Sequence, residues 1–303
     1  MTLAVVTLAV AACTQNGHDT SPASTAAPSS VITTPAAPSP RQALVTPPAG
    51  NAPATTFRIR ERKLRFSRGT DRPLTTTVWY PDAPGPFPLI LFSHGLTSEP
   101  SAYAALLTAW ARAGFVVAAP AYPHTSQGAG DYDPVDVLNQ PADASYVITR
   151  MIALDTENGR INPARIGAAG HSAGGITTIG MFSGDRDHRL AAGIVLAGRQ
   201  VFRVPFAGPP AALLFVHGKL DRTVPYADGL AAYRAVPWSR AMMAVTKGGH
   251  VAITKDYGPV IATTTDFLRW SLYGDVAARG RLRADATNSG VATWTDNLSE
   301  RRR

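Results

Sequence analysis

Gly170-His171-Ser172-Ala173-Gly174 sets a serine between two glycines, and Gly175 follows. A serine in this setting can stand on a tight strand-to-helix turn, exposed to attack a carbonyl, with glycines sparing its neighbours from clash. Its hydroxyl is a weak nucleophile unless a base takes its proton. His250, in Lys247-Gly248-Gly249-His250, is the candidate base, because the glycines let the loop curl the imidazole back toward the serine. A base that becomes cationic needs a partner to orient and stabilise it. Asp221, in His217-Gly218-Lys219-Leu220-Asp221, is the candidate, with Asp228 as the fallback in the helix beyond. The negative charge developing on an attacked carbonyl needs backbone donors. The N–H of Ala173 and the N–H of Leu96, in Ser93-His94-Gly95-Leu96-Thr97, are the candidates. His94 follows a different strand from His250 and is read as shaping that loop, and His171 as bonding locally.

These residues require a scaffold of alternating strands and helices. Residues 57–66 alternate apolar with charged side chains, and 74–80 are β-branched and Thr-rich, so both are predicted strands. With no helix between them, they should form an antiparallel edge. Residues 89–92 are continuously apolar, as a strand buried on both faces would be. Further strands are predicted at 115–119, 165–169, 191–196, 211–216 and 241–245. Helices are predicted at 102–112, 135–154 (broken or kinked at Pro141), 173–182, 227–235 and 260–272. Gly114 suits the end of the first helix. Strands separated by helices imply an α/β fold with a mostly parallel sheet covered on both faces. Ser172 then falls between a strand and a helix, and Asp221 and His250 each follow a strand. The stretch between the strands at 191–196 and 211–216 is too short for a lid domain. Its Phe202 and Phe206 are candidates to line an acyl pocket.

The ends of the chain differ from this core. Residues 1–12 are almost wholly apolar but fall short of the roughly 20 residues a membrane span needs, as in the core of a signal peptide. They lead into Val10-Ala11-Ala12-Cys13 and the single cysteine of the chain. Cys13 is the candidate lipidation site, although no Lys or Arg precedes the apolar run and Ala9-Val10-Ala11 could instead be cut for free secretion. Residues 13–53 are rich in Ser, Thr, Ala and Pro, too poor in large apolar groups to fold, and read as a tether. Residues 54–274 form the expected catalytic domain. Residues 275–303 are polar and Arg-rich and are expected to pack loosely or not at all. The net charge of +8 comes largely from that tail and from basic residues between Arg58 and Arg72. The latter alternate with apolar residues, as on a solvated strand. No zinc-finger spacing or aromatic RNA-binding motif accompanies the charge, so a nucleic-acid partner is not expected. One cysteine excludes a disulfide within the chain.

Ser93-His94-Gly95, Gly170-His171-Ser172-Ala173-Gly174, His217-Gly218 with Asp221, and Gly249-His250 together resemble the α/β-hydrolase superfamily. Within it the chain is most similar to bacterial esterases grouped with dienelactone hydrolases, platelet-activating-factor acetylhydrolase-like proteins and polyester hydrolases. Dienelactone hydrolases carry cysteine where this chain has Ser172, and polyester hydrolases usually carry disulfides. The resemblance implies ester hydrolysis without metal or organic cofactor, on small, lipid-like or polymeric esters met outside the cytoplasm, at a membrane reached through the lipid. A serine peptidase or amidase is the alternative within the fold. A non-catalytic envelope lipoprotein is the alternative outside it.

Overall fold

The computed structural model describes residues 52–155, 159–184, 186–251 and 258–298. The expected signal peptide, Cys13 and nearly all of the expected tether lie outside them. Ala52 already packs against the core, and Pro53 lies against Gly114. The folded domain therefore begins at least two residues before the expected boundary.

The sheet has nine strands in the order β1-β2-β4-β3-β5-β6-β7-β8-β9. They are β1 Ile59–Arg68, β2 Arg72–Pro81, β3 Phe87–Ser93, β4 Val116–Pro120, β5 Ile161–His171, β6 Leu190–Leu196, β7 Ala212–Gly218, β8 Arg240–Val245 and β9 Ala292–Asn297. Strands β3 to β8 run parallel, while β1 and β2 form the expected antiparallel edge. Parallel strands need covering on both faces. Along β3, Leu89 and Leu91 enter one core and Ile90 and Phe92 the other, which is why the sequence there shows a continuous apolar run. Helices α2 Gln140–Asp155, α3 Ala173–Gly180 and α4 Tyr226–Ala235 cover the first face. Helices α1 Ala104–Arg112, α5 Gly258–Leu268 and α6 Val276–Thr287 cover the second.

Two expectations are corrected. Pro141 does not interrupt a helix. A 3-10 turn over Pro134–Leu138 precedes it and α2 starts at Gln140, so the missing proline N–H falls in the first turn, where no intrahelical partner is needed. The C-terminal region is not loosely packed. Helix α6 buries Ala278, Leu282 and Ala286, and β9 pairs antiparallel with β8 and buries Ala292 and Trp294. It belongs to the catalytic domain. Among the described residues no helix is long and apolar enough to cross a membrane.

Candidate active site

All of the site's loops leave the carboxyl ends of the parallel strands. Strand β5 ends at His171, and Ser172 follows in a strained conformation, φ 56° and ψ −118°, before α3 begins. The surroundings enforce that strain. A Cβ at Gly170 would run into the carbonyl of Gly174, and one at Gly174 into the carbonyl of Ser93. The Ser172 N–H donates to Leu196 at the end of β6 (2.9 Å), and Ile176 donates to the Ser172 carbonyl (3.0 Å). The elbow is thus fastened to both the sheet and the helix.

The three expected residues meet. His250 Nε2 lies 2.8 Å from Ser172 Oγ, and His250 Nδ1 lies 2.8 Å from Asp221 Oδ2. The other carboxylate oxygen of Asp221 accepts the N–H groups of Thr223 and Val224, each at 2.9 Å. The Asp221 side chain is wholly buried. Its loop and that of His250 are stitched together where Lys219 N–H donates to Val245 and Leu220 N–H to Gly248. Asp228, the fallback, instead faces Arg199 at 3.6 Å. His217 donates through Nε2 to the Val224 carbonyl (2.9 Å), closing the turn that holds Asp221.

On the opposite side of Ser172, the loop after β3 is pinned by His94. The Tyr122 N–H donates to His94 Nε2 (3.1 Å), so Nδ1 carries the proton and donates to the Gly95 carbonyl (2.8 Å). Burial holds this imidazole neutral, pushing its pKa down to about 4. Thr97 takes φ 53°, and its N–H reaches Thr125. Neither Leu96 N–H nor Ala173 N–H donates to a described residue. Ala173 opens α3, where first-turn N–H groups have no intrahelical acceptor. Among the described residues, then, neither expected oxyanion donor has an acceptor.

His171 does more than bond locally. Its Nδ1 lies 3.0 Å from the Tyr103 hydroxyl and its Nε2 3.0 Å from the His250 carbonyl. Tyr103 and Tyr122 escaped the sequence reading, since nothing around them marks a role. Only the packing of α1 and of the loop after β4 brings them in.

The two expected acyl-pocket residues lie along α3 from Ser172. Phe206 is buried edge-on against Trp238, just ahead of β8, and the neighbouring Ala207 bonds to Phe182 beyond the end of α3. That end lies about 12 Å along the helix from Ser172, at the usual rise per residue. Phe202 lies against Gly180, also at the far end of α3. Both rings thus sit toward the end of α3 opposite Ser172. Among the described residues no three His, Cys, Asp or Glu side chains are grouped to hold a metal ion.

A family model described as Chlorophyllase matches residues 48–197. The match spans β1 to β6 and takes in Leu96 and Ser172, ending before Asp221 and His250. No curated protein matches the chain. The sheet order, the strained turn after β5 and the family match agree: the chain has the α/β-hydrolase fold and is a carboxylic ester hydrolase.

Proposed function

We propose that Ser172, His250 and Asp221 carry out this hydrolysis by acyl transfer. The observation that carries the reading is the unbroken line Asp221–His250–Ser172, with both links at 2.8 Å, on a strained elbow. His250 Nε2 takes the hydroxyl proton as Ser172 Oγ bonds to the ester carbonyl carbon. Leu96 and Ala173 N–H groups receive the oxyanion. The carbonyl re-forms, the alcohol leaves with the proton from His250, and an acyl-serine remains. Water attacks that acyl group through the same base, releasing the acid and restoring Ser172. Asp221 stays ionised throughout and keeps Nδ1 of His250 protonated, so that Nε2 is the lone pair facing the serine.

The substrates we propose are lipid-like, small or polymeric esters met at the outer cell surface. Residues 197–211 join β6 to β7 without helix or strand, which supports an uncapped site. The matched family's description adds chlorophyll esters to the candidates. The test is a series of p-nitrophenyl esters of increasing acyl length, an ester emulsion and chlorophyll, with wild type beside Ser172→Ala. Hydrolysis by wild type alone, lost by on the order of 10⁶-fold in the variant, is the expected outcome. Ordinary turnover by Ser172→Ala would overturn the assignment.

A further inference from the structure

We propose that Tyr103 and His171 form one positioning relay that holds the oxyanion loop and the His250 loop in register across Ser172. The inference rests on the acyl-transfer reading and adds residues to it that touch neither substrate nor the reacting atoms.

The direction of every bond in the relay is dictated by chemistry. The His250 carbonyl can only accept, so His171 Nε2 carries a proton and donates to it (3.0 Å). A neutral imidazole then has a bare Nδ1. The Tyr103 hydroxyl must donate to that nitrogen (3.0 Å), which leaves its oxygen lone pairs for the Gly95 N–H (3.0 Å). The chain reads Gly95 N–H to Tyr103 O–H to His171, then His171 N–H to His250 C=O. His171 is buried, and burial together with the nearby His250 pushes its pKa down to about 4, keeping it in the neutral form the relay requires. Its ring also lies 4.8 Å from the His250 ring.

The relay has no slack. A Cβ placed on Gly95 would stand 3.3 Å from His171 Nδ1, from Ser172 Cβ and from the Tyr103 hydroxyl at once. Gly95 immediately precedes Leu96, the oxyanion donor. His250 is the base itself. A shift of either loop relative to the other therefore has to break a bond of this chain. His94 holds the Gly95 carbonyl from the other side, so the loop is gripped between His94 and the relay.

The substitutions separate the links. Tyr103→Phe removes one oxygen and leaves the ring. His171→Gln keeps a donor long enough for the His250 carbonyl but no acceptor at the Nδ1 position. His171→Phe removes both links. Two measurements are made on each variant and on wild type. One is kcat and KM for p-nitrophenyl butyrate per active site, titrated by the acyl burst. The other is the downfield proton of the Asp221–His250 hydrogen bond by NMR. Tyr103→Phe and His171→Phe are expected to lose about tenfold in kcat per titrated site, with KM within twofold, as loss of alignment does. Their downfield proton should broaden through exchange. His171→Gln, which loses the same link as Tyr103→Phe, should match it, and Tyr103→Phe with His171→Phe should be no slower than the slower single variant, because one wire can be cut only once. Unchanged kcat per titrated site with an unchanged proton signal, or additive losses in the double variant, would overturn the relay. Loss of the proton signal in variants of a protein whose wild type shows no Ser172-dependent turnover would sustain the relay and sink the esterase reading instead.

Discussion

At the scale of single residues, the site is governed by which lone pair or proton each atom presents. Asp221 shows this most directly. Two backbone N–H groups occupy one carboxylate oxygen, and His250 Nδ1 occupies the other. In Asp221→Asn the amide oxygen must stay on the Thr223 and Val224 donors, so the amide N–H₂ faces Nδ1. His250 then accepts there and carries its proton on Nε2, where it cannot take one from Ser172. Turnover is expected to fall about 10⁴-fold with the fold intact, measured as kcat beside the thermal midpoint. Asp228→Asn, on a residue paired with Arg199 on the surface, should leave kcat within twofold. Equal losses in the two variants would contradict the geometry. Ser172, Asp221 and His250 were legible because each sits in a Gly-rich turn directly after a strand. The position of Phe206 was not legible, because an aromatic residue in a loop carries no mark of which end of a helix it will meet.

At the scale of elements, α6 and β9 complete the domain. Their sequence reads as polar because charged pairs join them to one another and to the α5 region. Arg279 meets Asp296 at 3.0 Å, Arg281 meets Asp266 at 2.7 Å, and Arg269 meets Asp275 at 2.7 Å. The buried stripe of α6 is only Ala278, Leu282 and Ala286, two of them small, too faint to outweigh the arginines. A chain ending at Asp275 would leave β8 as an open, apolar edge beside the His250 loop. It is expected to be insoluble or inactive, and a soluble, fully active truncation would show that the C-terminal pair is dispensable. Leu282→Ala should cost about 2–5 kcal/mol in denaturant unfolding. The same interface carries a pH dependence. Asp285 stands beside Asp266, where a hydrogen bond between them forms only when one is protonated, and among the described residues one of its oxygens is buried without a partner. Burial, then that hydrogen bond and the Asp266 charge, push its pKa up to about 6. A carboxyl raised in the folded state stabilises most below the unfolded pKa of about 4, and that contribution is lost as pH rises through 6. Asp285→Asn mimics the protonated form. Its thermal midpoint should exceed wild type above pH 7 and should lose the wild-type decline between pH 5 and 7. A parallel decline in both proteins would place the pH dependence elsewhere.

At the scale of the whole molecule, the described domain and the amino-terminal region answer different questions. The domain supplies the chemistry. The proposal of an outer-surface location rests on residues 1–13, an apolar run ending at a lone cysteine. If Cys13 carries a lipid, Cys13→Ala should move the protein from the membrane fraction to a soluble one while hydrolysis per mole stays unchanged. Retention of the variant in the membrane fraction would exclude the lipid as the anchor.

The fold class, the strand-helix alternation and the three candidate triad residues can be read from the amino acids alone. Those signals are local: apolar period, turn chemistry, and chain order of Ser, Asp and His. What depends on distant segments meeting becomes visible in the folded chain. Tyr103 and His171 are separated by 68 positions and bond directly. Helix α6 and β9 close an edge that their own composition does not advertise. Phe206 falls at the end of α3 away from the site. Side-chain type and spacing specify local conformation, but a hydrogen bond or a buried ring is settled by which surfaces the completed sheet brings together.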